Sequence, residues 1–165
     1  GVLPRDYCDQ DLDDGLNKMV EEFLGKLVVF QERLKARDPV KAKSKRRVSS
    51  GLREVMRSIR IKDAKVIIVA PNIEPAPSEG SLDDKVEEII AGAKAAAVPV
   101  VYALSRSRLG KALGKSMRMS AAVVHNVDGT HETYKEILEL GAKLRESFAE
   151  RKKEERIAAL RSGAA

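Results

Sequence analysis

At 165 residues, 43% hydrophobic and 34% charged, the chain is long enough for one domain with a real core and too short for two, since domains commonly run to about 100–150 residues. Three Phe, three Tyr and no Trp leave aliphatic packing under an ionised surface, which makes an aromatic base-stacking platform of the RRM or OB-fold kind a poor description. The net charge of +6 is a patch rather than a spread: Lys35 to Lys65 carries 12 Lys or Arg against Asp38, Glu54 and Asp63, a local +9 that leaves −3 for everything else. Such a patch suits a polyanion such as nucleic acid, with an anionic membrane surface as the competing partner. With Cys8 alone there is neither a disulfide nor a Cys-based zinc site, which fits a reducing compartment. No run of about 18 apolar residues is present to span a bilayer, and residues 1–15 show no signal-peptide pattern.

Residues 1–15, with Asp6, Asp9, Asp11, Asp13 and Asp14, read as an acidic, irregular and loosely held lead-in. From Leu16 the apolar positions Met19, Val20, Phe23, Leu24, Leu27, Val28 and Leu34 follow a three-four alternation interrupted only by Gln31, which predicts a long amphipathic helix ended by Asp38 and Pro39. Its stripe is expected to pack on the core through Phe23, Leu27 and Leu34, a partner surface being the alternative, because left in water it would be an unusually large apolar patch. Lys45 to Val48 reads as a short strand. A helix then opens at Gly51, with Ser49 and Ser50 as N-cap candidates and Val55, Met56 and Ile59 on one face. KVIIVA at 65–70 has the continuous apolar character of a buried central strand. Pro71, Pro75, Pro77 and Gly80 make a loop, and Ser81 with Asp84 resembles a capping box for a helix over 82–97. Pro99 opens a strand (VPVVYAL), a short helix follows around Arg108 to Leu113, and SAAVVH at 120–125 reads as a fourth strand. A last helix starts near Thr130 and carries Tyr134, Ile137, Leu138, Gly141, Leu144 and Phe148 inward, with a solvated, fraying end beyond. Strands alternating with helices predict an α/β sandwich, a small sheet between helical layers.

The centre of this pattern is KAKSKRRVSSGLREVMRSIRIKDAK, Lys41 to Lys65, where a basic run opens into an amphipathic helix. The NH groups and positive dipole end of that helix attract anions, and Arg53, Arg57 and Arg60 add to the attraction. Glu54 has two readings: a stabilising partner for the helix dipole, or an acceptor for the amino and imino groups of a nucleobase.

KRRVSSGLREVMRSIRIKDAKVIIVAPNIE, SLDDKVEEII and VPVVYALSRSRLGKALGK together resemble the RNA-binding domain of the ribosomal-protein L7Ae/L30e family over roughly residues 22–148. FQERLKARDPVKAKSKRR running straight into GLREV resembles the branch of that family that binds SECIS, the selenocysteine insertion element in the 3′-untranslated region of selenoprotein mRNA. The resemblance implies a three-layer α/β/α sandwich with a small four-stranded mixed sheet plus an N-terminal helical extension. The corresponding division is 1–39 for lead-in and extension, 40–150 for the L7Ae-like domain and 151–165 for a charged helical tail. It also implies a non-catalytic monomer without cofactor, cytoplasmic with the nucleus as a second compartment, whose partners are RNA, the ribosome and the selenocysteine-specific elongation factor, and which supports selenocysteine incorporation at UGA during translation.

The family target is a kink-turn, an RNA bend with tandem sheared G·A pairs, and its helix motif Gly-x-Asn-Glu-x-x-Lys corresponds to Gly51, Arg53, Glu54 and Arg57. Arg53 replaces the wider family's Asn and matches the SECIS-binding branch. The implied roles are Glu54 accepting from a guanine edge, Arg53 and Arg57 on bases or phosphate, and Lys43, Lys45, Arg46 and Arg47 on phosphates, which position RNA without reading sequence. The second implied element is the loop Lys115 to Ser120, where Met117 and Met119 would lie on a kinked base, with core filling as the alternative. Arg118 stands where the branch has Pro. Arg108, Lys111, Lys115 and Arg118 form, with Arg106, a second basic cluster.

Other chemistries fit poorly. GKALGKS at 110–116 has three residues between its glycines where a phosphate loop needs four. His125 and His131 lack a Cys partner for a metal; His125 is expected to be partly buried and structural, His131 exposed in a first helical turn. Cys8 has no neighbouring base to activate it, and capping explains Asp83 and Asp84.

Overall fold

The computed structural model describes residues 4–72 and 82–163. The capping box expected at Ser81 lies outside the described residues. Among the described residues the elements run α1 (Asp14–Arg37), α2 (Pro39–Ser44), β1 (Val48–Ser50), α3 (Leu52–Arg60), β2 (Val66–Val69), α4 (Leu82–Ala95), β3 (Val100–Tyr102), α5 (Arg106–Ala112), β4 (Ala121–Val124) and α6 (His131–Arg161), strands alternating with helices after α1.

The strands form one mixed sheet in the order β1-β4-β2-β3, parallel between β2 and β3 and antiparallel elsewhere. Because side chains alternate across a strand, KVIIVA feeds two cores at once. Val66 and Ile68 join Leu16, Val20, Phe23, Leu24 and Leu27 of α1 with Leu109 and Ile137 on one face. Ile67 and Val69 join Val55 and Ile59 of α3 with Val86 and Ile89 of α4 on the other. The result is the expected three-layer sandwich with a helical N-terminal segment. Phe23 and Leu27 are fully buried, whereas Leu34 is only half-buried.

From Tyr7 onward the lead-in is not loose. Gln10 is buried, and its side-chain amide accepts from Tyr102 N and donates to Tyr102 O, both at 2.9 Å, pairing with the outer edge of β3 much as a strand would. Tyr7 stacks on Tyr102 with ring centroids 6.3 Å apart, and its hydroxyl donates to Ala70 O. Cys8 is buried beside them, and desolvation pushes its thiol up to about 11. Asp13 caps α1 by accepting from Leu16 N at 2.9 Å. The acidic lead-in thus holds a cap, Asp13, and an edge clasp, Gln10, neither of which has a periodic signature.

Three boundaries differ from expectation. Asp38 and Pro39 end α1 and also start α2, Asp38 accepting from Lys41 N with Pro39 at the first helical position, where its missing NH costs nothing. This turn consumes Lys41 to Ser44 as helix, and Lys45 still bonds back to Lys41 O, so the first strand begins at Val48 rather than Lys45. Ser49 and Ser50 lie in that strand, and the N-cap of α3 is Gly51 at φ +98, a conformation that glycine reaches without strain. At the other end α6 runs as a single helix through Phe148 to Arg161, its last three turns exposed but helical instead of frayed.

Candidate nucleic-acid interface

A groove of about 550 Å³ opens where β1, the start of α3, the second half of α1 and the end of α5 meet. Each wall follows from a local rule. Among the described residues strand β1 pairs only with β4 and so presents its other edge, and Ser49 and Ser50 give that wall hydroxyls rather than methyls. Gln31, the residue that broke the apolar stripe of α1, turns its Oε1 to accept from Arg47 N at 2.8 Å and Val48 N at 3.2 Å. Helix and strand are thereby pinned edge to edge.

Glu54 stands on the groove wall in the first turn of α3, 29% exposed. Its Oε1 accepts from Arg46 Nη1 at 2.7 Å and lies 3.5 Å from Arg57 Nη1. The hydrogen bond from Arg46, with the Coulomb attraction of Arg46 and Arg57, holds the carboxyl below its ordinary range. Among the described residues Oε2 accepts no hydrogen bond. The carboxylate is therefore fixed by two guanidiniums on one oxygen and open on the other.

The far wall belongs to the turn after α5. Ser105 caps that helix by accepting from Arg108 N at 3.1 Å. Leu104 just before it sits at φ +71, strained for a branched residue, with its NH donated to Asn17 Oδ1 of α1 at 2.8 Å. Gly110 is buried where the chain returns over α5, and a β-carbon there would collide with the Met117 carbonyl. A glycine at this position thus sets the path of residues 115–119 beside the groove.

The sequence-derived residues distribute unevenly over this geometry. Arg46, Glu54 and Lys115 line the groove, and Gly51 joins its two nearest elements. Arg53 and Arg57 are exposed on α3, and Lys43 and Lys45 are exposed on the approach through α2. Arg47 points elsewhere: its guanidinium sits 5.3 Å from the Phe30 ring centroid and donates to the Asp128 carbonyl, beside a separate cleft of about 360 Å³. Arg108 pairs with Glu21 of α1 at 3.3 Å, while Lys111 and Arg118 are exposed. Met117 is 63% exposed, and Met119 packs partly against the core. Core filling, one of the two readings, thus describes Met119 in part and does not describe Met117. Sequence reasoning missed Gln31, Ser49 and Ser50 as wall residues. The one signal was the polar interruption of the α1 stripe.

Residue His125 is buried rather than partly buried, and His131 is exposed, 3.3 Å from Asp128. Among the described residues no group of three or more His, Cys, Asp or Glu could hold a metal, and no helix is long and apolar enough to cross a membrane.

Comparison with known proteins places this geometry. The profile of the Ribosomal protein L7Ae/L30e/S12e/Gadd45 family matches residues 34–134. The chain belongs to that family. It is 39% identical over 144 residues to Selenocysteine insertion sequence-binding protein 2 of Rattus norvegicus, covering 87% of this chain and 17% of the relative. To Selenocysteine insertion sequence-binding protein 2-like of Homo sapiens it is 35% identical over the same share of the chain and 13% of the relative. The chain thus spans about a sixth or less of the length of these curated relatives. The Giardia lamblia 15.5kD RNA binding protein superposes with a TM-score of 0.60 at 17% identity, over 80% of this chain and 92% of that one, a likeness of fold. The family match includes β1, α3 and β4, the sheet and helix start from which the groove is built, and it begins inside the last turn of α1.

Proposed function

We propose that this chain is an RNA-binding module that recognises the kink-turn of a SECIS stem-loop, and that it acts as a non-catalytic adaptor in selenocysteine incorporation. The observation that carries the reading is the ionised Glu54, gripped on Oε1 by Arg46 and Arg57 and open on Oε2 toward a groove rimmed by cations. A carboxylate so held accepts from the imino and amino groups of a guanine edge, the donors that a sheared G·A pair leaves accessible. The same rim, with Lys45, Arg53 and Lys115 exposed, supplies phosphate contacts that set register and strength. The kinship with SECIS-binding protein 2 supports SECIS as the target; the ribosome and the selenocysteine-specific elongation factor are partners proposed on that kinship alone.

The test measures binding to a SECIS stem-loop and to a generic kink-turn, each beside a partner RNA with its G·A pairs replaced. The expected result is a preference for intact pairs in the parent chain that Glu54→Gln lowers by about 10- to 100-fold, the scale of one lost bidentate base contact. Residual binding should remain strongly salt-dependent, with a log-log slope of about −0.7 to −0.9 per phosphate. Equal affinity for the SECIS and the generic RNA would favour a binder of ribosomal or small nucleolar kink-turns. No discrimination by the parent chain would leave a protein-interaction module of the same fold.

A further inference from the structure

On the β1 wall of the groove, Ser49 is joined to a residue 76 positions away. Its Oγ lies 2.8 Å from His125 Nε2, and His125 Nδ1 lies 2.7 Å from the Asp63 carbonyl oxygen and 3.4 Å from the Asp63 carboxylate Oδ2, both of them acceptors. The ring is only 3% exposed and is held from behind by its own backbone, His125 N donating to Arg47 O at 2.8 Å. A carbonyl oxygen can only accept, so Nδ1 must carry a hydrogen. In the neutral ring Nε2 is then a lone pair, and the Ser49 hydroxyl must donate to it. With its single proton committed inward, Ser49 offers the groove lone pairs alone.

We propose that His125 is a positioning residue for RNA recognition, fixing the Ser49 hydroxyl as a hydrogen-bond acceptor so that this point of the groove takes a donor on the RNA. The inference rests on the RNA-binding reading above and deepens it. Glu54 Oε2 and Ser49 Oγ then give the groove two acceptors, and an RNA edge meeting both must present donors. Among the donors RNA offers, the exocyclic amine of guanine and the ribose 2′-hydroxyl are two that can be removed singly. An unfixed serine would accept or donate with equal ease and would not discriminate; the histidine removes that freedom.

The first measurement is the ring of His125 by 15N NMR in the free chain and with RNA bound. A neutral ring protonated on Nδ1 is expected in both; a proton on Nε2, in either the other tautomer or the cation, overturns the proposal. The second is a binding cycle with Ser49→Ala, His125→Phe and the pair. Each single change should weaken RNA binding about 3- to 10-fold, as for one neutral hydrogen bond, and the pair no further. The RNA arms replace the guanines of the G·A pairs by inosine, which lacks the amine, or introduce 2′-deoxy sugars. One substitution should reproduce the loss in the parent chain and show none beyond it in Ser49→Ala, which identifies the donor. Full affinity of Ser49→Ala, or a loss that adds to every RNA substitution, overturns the proposal. If His125→Phe fails to fold, the NMR result and the Ser49→Ala arms still decide. Glu54→Gln measured alongside separates the failures: its loss with no Ser49 effect sinks this inference alone, and a parent chain that binds no RNA sinks both.

Discussion

Arg46 and Arg47 are neighbours in a basic run that looks uniform, yet they serve opposite sides of α1. Arg46 reaches over β1 to Glu54 and stands in the open groove. Arg47 turns the other way, over Phe30 and onto the Asp128 carbonyl, where it ties α1 to the turn before α6. The difference arises because β1 starts just after them: successive residues at a strand entrance point to opposite sides, so a run of like charges is split between a groove-lining position and a packed one. Gln31 is the divide, since it lines both clefts and holds Arg47 N and Val48 N in place.

The largest disturbance removes the wall that both sides share. Deleting residues 1–36 takes Leu16, Val20, Phe23, Leu24 and Leu27 out of the core. At about 2–5 kcal/mol for each large buried side chain, that exceeds the whole stability of a typical domain. No cooperative thermal transition is expected by circular dichroism; a truncated chain that melts cooperatively would show α1 to be a docked accessory. Less drastic, Gln31→Leu leaves two backbone NH groups without their acceptor and should cost about 1–3 kcal/mol, read as a fall in urea midpoint, with NMR shifts in both clefts at once. Shifts confined to one cleft would mean the two sides are held independently.

Two smaller changes separate the arginines. Arg47→Met keeps the stem but removes the cation from Phe30 and the donor from Asp128 O. It should cost about 1–2 kcal/mol of stability while leaving the salt slope of RNA binding unchanged. Arg46→Met should hardly move the melting temperature near neutral pH, but should let the Glu54 carboxyl rise toward the ordinary range in a carbon-detected NMR titration. The sign follows from the lowered carboxyl: the stabilising contribution of the pair is present above the unfolded carboxylate value of about 4.3 and is lost as pH falls through the lowered one. The small stability gap between parent and variant should therefore close in acid. A gap that persists there would assign it to packing of the Arg46 stem.

The fold was legible wherever a rule acts locally. The three-four stripe of α1, the apolar run of β2 and the Gly51 to Arg57 motif each carry their own periodicity or spacing, and the elements stand where they imply. The start of β1 was not legible, because Asp38 and Pro39 serve as a stop and a start at once and only the second role moves the strand to Val48. Beyond Phe148 the sequence implied a helical tail but not its regularity, since a polar run leaves no buried stripe to read, and the structure carries the helix unfrayed to Arg161.

By itself, then, the sequence determined the layers, the basic patch and the candidate carboxylate at the start of α3, all properties of residues within a few positions of one another. Tertiary structure alone decided that Gln10 closes the edge of β3 across 92 residues, that Arg46 and Arg47 part company, and that His125 meets Ser49 across 76. Those pairings have no period and no composition. They exist because the sheet order β1-β4-β2-β3 sets the third and first strands on its two edges and lays the fourth beside the first, so that chain-distant polar groups become partners away from water.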